Sequence, residues 1–179
     1  MTTYKVCDVV SVQEAEFSTP VSAPIHPLGM RVKVESTTGV LSEYEYVCAF
    51  GRALTAYQPY ILDLGGTTGS TTASAVSLTV PVTLGAPGAI VAVPQVAFTS
   101  GYYGWVLVKG YGKALHTAET YIKGDMLQLL SAGTTLVVDG SSGSTIKLVN
   151  TCGQSLDSGT TAVAKAIYLN GEQAVIAAT

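Results

Sequence analysis

Side chains able to do acid–base, nucleophilic or metal chemistry are few in this sequence and poorly spaced for it. Its two histidines stand apart: His26 precedes Pro27, and His116 lies in Ala114-Leu115-His116-Thr117. Neither belongs to a cluster with metal-ligand spacing, and an isolated histidine reads as structural. Cys7, Cys48 and Cys152 are far apart and form no Cys-x-x-Cys, which argues against a zinc ribbon or a redox dithiol. They read as buried reduced thiols. No Gly-x-Ser-x-Gly occurs; the nearest string, Gly153-Gln154-Ser155-Leu156-Asp157, lacks the second glycine of a nucleophile elbow. Residues 65–70 are glycine-rich, but no Gly-Lys-Ser/Thr follows to reach a phosphate. Asp139-Gly140-Ser141 lacks the later acidic ligands of a calcium loop and reads as a hairpin turn. Glu14/Glu16 and Glu43/Glu45 each place two carboxylates on one strand face. A solvated or intersubunit edge accounts for such pairs better than acid–base work. The sequence therefore predicts no enzyme, no metal and no cofactor.

The most distinctive string is aromatic: Gly101-Tyr102-Tyr103-Gly104-Trp105-Val106-Leu107-Val108-Lys109-Gly110-Tyr111-Gly112. Exposed tyrosine and tryptophan could stack on sugar rings or form a protein–protein hot spot. The plainer reading seats Trp105 in the core, with the glycines letting strands approach closely. Tyr102 and Tyr103 point to opposite faces of an extended chain, so one of them is expected to meet solvent or a neighbour.

The elements that must position these residues have a period of two. Val6, Asp8, Val10 and Val12 alternate with Cys7, Val9 and Ser11; Arg31 and Lys33 with Val32 and Val34; Glu43 and Glu45 with Tyr44 and Tyr46. Further short runs rich in Val, Thr, Ile and Tyr cover residues 75–84, 89–97, 104–109, 126–130, 134–138, 145–149, 163–169 and 173–177. Glycine-containing turns separate them at residues 85–88, 123–125, 139–143 and 170–171. Helix signals are thin, limited to a single turn near residues 116–121. The pattern predicts an all-β chain, a compact β-barrel or β-sandwich with little helix. Residues 13–28 carry Pro20, Pro24 and Pro27, each of which removes a donor and biases its predecessor towards an extended state. Residues 1–28 therefore read as an extended N-terminal arm containing a first strand, and residues 29–179 as the β-domain. Residues 65–74, without an apolar anchor, read as a loop or long hairpin tip.

Composition narrows the partners. The chain has 179 residues, a net charge of −3, 47% hydrophobic residues and 12% charged ones. Charge is about half as frequent as the roughly 25% of an ordinary soluble domain, so other protein chains are expected to cover part of the exterior. Mild acidity argues against nucleic acid, and high hydrophobicity with low net charge argues against disorder. No run of some 18 apolar residues suggests a membrane span, and the N-terminus lacks the apolar block of a signal peptide.

Several strings occur in a characteristic order: His26-Pro27-Leu28-Gly29-Met30-Arg31-Val32, Glu43-Tyr44-Glu45-Tyr46-Val47, Val93-Pro94-Gln95-Val96-Ala97 and Tyr103-Gly104-Trp105-Val106-Leu107-Val108-Lys109-Gly110. Lys123-Gly124-Asp125-Met126-Leu127, Cys152-Gly153-Gln154-Ser155-Leu156, Gly159-Thr160-Thr161 and Ala164-Lys165-Ala166-Ile167-Tyr168-Leu169 follow. In this order the chain resembles, over roughly residues 26–170, the head decoration or cement proteins of tailed bacteriophages. Cys152 and Gln154-Ser155 depart from that family, which more often has small apolar residues there. The resemblance implies a β-barrel or β-sandwich assembling as a homotrimer on the outside of the capsid, made in the bacterial cytoplasm and carried on the virion. Its partners would be sister subunits and the major capsid protein, with no nucleic acid and no membrane. A glycan met through exposed aromatics, as in a head-fibre, tail or receptor-binding module, is the alternative. Contacts with shell or sister subunits are expected at Phe17, Pro20, Pro24 and Ile25 of the arm and at Tyr102, Tyr103 and Trp105. The arm and first strand could add to a neighbour's sheet.

Overall fold

Burial follows the alternation in the sequence. In Arg31–Ser36, Val32 and Val34 are buried between exposed Arg31 and Lys33, as a strand with one face on a core requires. The computed structural model describes residues 4–6, 12–36, 39–63, 77–79, 90–129, 134–138 and 151–171. Over these residues the chain is all-β and sandwich-like, with one short 3-10 turn at Glu14–Phe17. The strands are β1 Tyr4–Val6, β2 Arg31–Ser36, β3 Leu41–Cys48, β4 Tyr60–Asp63, β5 Ser77–Thr79 and β6 Val91–Pro94. They continue as β7 Tyr103–Leu115, β8 Met126–Leu129, β9 Leu136–Val138, β10 Thr151–Ser155 and β11 Ala164–Leu169.

One sheet runs β1-β2-β3-β5-β4-β6-β7-β11-β10-β8-β9, open at β1 and β9. β3 also pairs with β7, so β3, β5, β4, β6 and β7 complete a circuit of pairings within it. All pairings between these strands are antiparallel except β3 with β5. Two cores result. The smaller gathers Val47, Leu54, Tyr60, Leu62, Ala92, Phe98, Val106 and Val108 from strands of the circuit and the loops beside them. The larger joins Val32, Val34, Tyr44, Tyr46, Trp105, Leu107, Leu127, Leu136, Ile167 and Leu169 on the opposite side.

The long strand β7 serves both. Trp105 and Leu107 face the larger core, Val106 and Val108 the smaller. Glu43 pairs with Lys109 and Tyr44 with Leu107, which leaves Val108 as an extra residue on β7. This bulge reverses the alternation, so that beyond it Gly110, Gly112 and Ala114 turn inward while Lys109, Tyr111 and Lys113 are exposed. Gly110 (φ +97°) is required here, since a Cβ would lie 2.5 Å from the Leu41 carbonyl oxygen.

Differences from the sequence reading have local causes. Strand β7 runs on to Leu115, past glycines that suggested an earlier end, because β11 pairs with it as far as Ala164–Leu115. Strands β4 and β10 carry little alternation and were not expected; Gly153 in β10 lies so close to β11 that a Cβ would meet Tyr168 O at 2.5 Å. Residues 116–121 form no helical turn but two bridges, His116–Leu136 and Tyr121–Gly159. The turn at residues 123–125 forms, with Ile122 N–H donating to Asp125 Oδ2 at 2.8 Å. The strands expected at residues 145–149 and 173–177, the turns at 85–88 and 139–143 and the loop at 65–74 lie outside the described residues.

Candidate interaction surface

Residues 12–30 cross the larger core as a strap. Glu16 N–H donates to Gln13 O and Gln13 N–H to Glu16 Oε1, both at 3.0 Å, and this closes the 3-10 turn. The turn aims Phe17 inward, where its ring meets Tyr44 at 5.0 Å and Trp105 at 5.5 Å. The chain then extends, and Val21 exchanges two backbone hydrogen bonds with Tyr103 (2.9 and 2.8 Å). Next to Tyr103, Gly104 leaves room for the Phe98 ring, which a Cβ would meet at 2.8 Å. Ile25 N–H donates to the Tyr46 hydroxyl at 3.2 Å, and His26 packs on Tyr46 and Trp105 at 5.2 and 5.3 Å.

A short hydrogen bond fastens the loop between these points. His26 Nε2 lies 2.5 Å from Glu16 Oε2, with both side chains largely buried. Burial pushes the Glu16 carboxyl up, yet the Gln13 N–H and the bond and charge of His26 outweigh it and hold the group below its usual range. Both carboxylate oxygens are therefore engaged in seating the strap.

All seven residues expected at contacts lie along this strap and the start of β7, and five of them reach the surface. Pro24 and Ile25 are exposed, Ile25 at 53%. Pro20, Tyr102 and Tyr103 are half-buried. Phe17 and Trp105 are corrections: at 6% and 1% exposure they are core residues of this chain, sealed by the strap's own packing. Nor is the arm only a surface connector, since Val12 and Phe17 belong to the larger core. The first strand, β1, pairs with β2 of the same chain and ends the sheet among the described residues. Beside the strap, Ala49 N–H donates to Tyr102 O and Gly101 N–H to Ala49 O, each at 2.8 Å. This brings the exposed ring of Phe50 to the same end.

Sequence reasoning missed Phe50, Leu41, Tyr111, Ile122, Val163 and Tyr168, the other exposed large apolar side chains. A signal existed for Tyr111: Lys109 and Lys113 alternate with Gly110, Gly112 and Ala114 and mark its face as outward. It missed His26 as an anchor because a histidine before proline carries no periodic signal.

The remaining titratable residues are dispersed. His116 is buried against Tyr121, ring centroids 4.4 Å apart. Cys48 and Cys152 are buried free thiols, Cys152 pushed up by burial to about 12; Cys7 lies outside the described residues. Among the described residues no group of three His, Cys, Asp or Glu could hold a metal, and no helix is long and apolar enough to cross a membrane. Fold and surface together define an all-β protein with apolar side chains displayed on several sides. No family model matches the chain, and no curated protein matches it, so the likeness to phage decoration proteins rests on its ordered motifs alone.

Proposed function

We propose that this chain is a non-enzymatic structural protein of a tailed-phage virion that binds the outside of the capsid as a homotrimer and stabilises the mature head. One observation carries this reading. Ile25, Phe50, Ile122 and Val163 stand 41–60% exposed on a chain with only 12% charged residues, a surface suited to burial between protein copies. The strap offers the most organised part of that surface, because Pro24 and Ile25 are held outward by buried anchors beneath them. A preorganised contact loses little entropy on binding. Three such contacts in a trimer multiply affinity without further interactions, and binding only the mature lattice stabilises it by linkage. In the alternative reading as a head-fibre, tail or glycan-binding module, Trp105 at 1% exposure could not stack on a sugar, which leaves half-buried Tyr102 and Tyr103.

Native mass spectrometry should give a trimer, and purified protein should bind expanded, undecorated heads saturably. Ile25→Asp should lower that binding while leaving the melting temperature unchanged. A stable monomer that ignores such heads overturns the proposal.

A further inference from the structure

The sheet face that lines the smaller core does not end with it. Past the bulge it continues, uncovered by other described residues, carrying Lys109, Tyr111 and Lys113 of β7. Tyr168 of β11 is the direct cross-strand partner of Tyr111; the two are 38% and 46% exposed. Leu41, 54% exposed at the start of β3, borders them. Tyr168 is flanked along its strand face by Ala166 and Ala164, too small to cover its ring.

Strand β11 holds one edge of β7 here, and two side chains hold the other. Ser42 Oγ accepts from Tyr111 N–H at 3.0 Å and donates to Tyr111 O at 3.1 Å, replacing strand pairing just beyond the bulge. Two residues further along the same edge the Gln95 amide grips Lys113 in the same manner, at 3.0 and 3.1 Å. Neither Lys109 nor Lys113 has a carboxylate within 4.0 Å among the described residues. Glu43, opposite Lys109, is directed to Lys33 at 3.9 Å. Lys113 Nζ lies 6.0 Å over the Tyr57 ring.

We propose that this face binds an anionic glycan, its sugar rings stacking on Tyr111 and Tyr168 and its carboxylates or sulfates meeting Lys109 and Lys113. Tyrosine supplies a flat apolar ring with a polar tip, suited to the C–H face of a pyranose. Two lysines with no ion pair among the described residues supply the charge complementarity. A protein partner fits less well, because lysine is depleted from protein interface cores. Nucleic acid fits less well too, since two cations on a chain of net charge −3 release few counterions. The inference goes beyond the virion reading and needs neither the trimer nor a shell.

Titration calorimetry with oligogalacturonate, neutral dextran oligomers and oligo(dT) tests it. Oligogalacturonate should bind saturably and more weakly as salt rises. Tyr111→Ala and Tyr168→Ala should each weaken it at least about tenfold, whereas Tyr111→Phe, which keeps the ring, should retain it. Lys109→Gln with Lys113→Gln should remove most of the salt dependence. Circular dichroism of each variant separates lost binding from lost folding. The proposal is overturned if oligogalacturonate does not bind, if Tyr111→Ala binds as the parent does, or if oligo(dT) or dextran binds more tightly. It is equally overturned if the two tyrosines are covered by a sister copy in solution.

Discussion

Glu45 is 1% exposed and its carboxylate takes the Arg31 Nε–H at 2.7 Å. Burial raises its pKa, and Arg31 only partly offsets that. A carboxyl raised above its unfolded value near 4.5 contributes stability below that pH, which is lost as pH rises through the folded pKa. Glu45→Gln keeps an acceptor for Arg31 and removes the charge, so its urea midpoint should exceed the parent's at neutral pH and approach it below about pH 4.5. Arg31→Leu leaves the buried carboxylate unpaired and should cost about 2 kcal/mol at neutral pH, less than a fully buried pair because the Arg31 side chain is 47% exposed. His116 has the opposite sign for a base. Burial lowers its pKa from 6.5, with Asp157 raising it and Lys165 lowering it further. The unfolded chain then takes up the proton first, so stability should fall as pH drops below about 6.5. His116→Phe, which preserves the packing on Tyr121, should flatten that decline in urea titrations from about pH 7.5 to about pH 5.5.

Strand β7 concentrates the local demands of the fold at its bulge. Gly110→Ala meets both a positive φ and a backbone oxygen, so it should lower stability by more than about 2 kcal/mol. Gly101→Ala has a positive φ but open space around the missing Cβ, and should cost about 1 kcal/mol; thermal melts of the two variants compare them directly. Alternation made β2, the start of β3 and β11 legible, because there one face lies on a core and the other is at least partly open. It failed where that condition fails. Strand β6 and the first half of β7, buried on both faces, were legible instead as apolar runs, whereas β4 is four residues long and β10 is held by a close backbone approach at Gly153 that leaves no pattern in residue type. The bulge itself is invisible in sequence, although it decides that Tyr111 faces outward. The strap was half legible: its prolines announced extension, but nothing in the spacing of Phe17 from Trp105 announced that they touch.

Because β7 supplies side chains to both cores, the described parts should unfold as one cooperative unit, with circular dichroism and fluorescence transitions superimposing. The strap divides its duties between inner and outer residues. Phe17→Ala should cost about 3 kcal/mol through the cavity it leaves beneath Trp105. Ile25→Ala, at a solvent-facing position, should change stability by less than about 0.5 kcal/mol. Removing residues 1–25 would therefore harm folding itself, and only outward substitutions isolate attachment. Trp105 is the chain's single tryptophan, and Phe17 and His26 rest on its ring. Native emission is thus a built-in gauge of whether that segment is seated: lifting it would wet the indole, redden the spectrum and admit acrylamide. Acid should trigger the change, since the support Glu16 lends is present above about pH 4.5 and fades as pH falls.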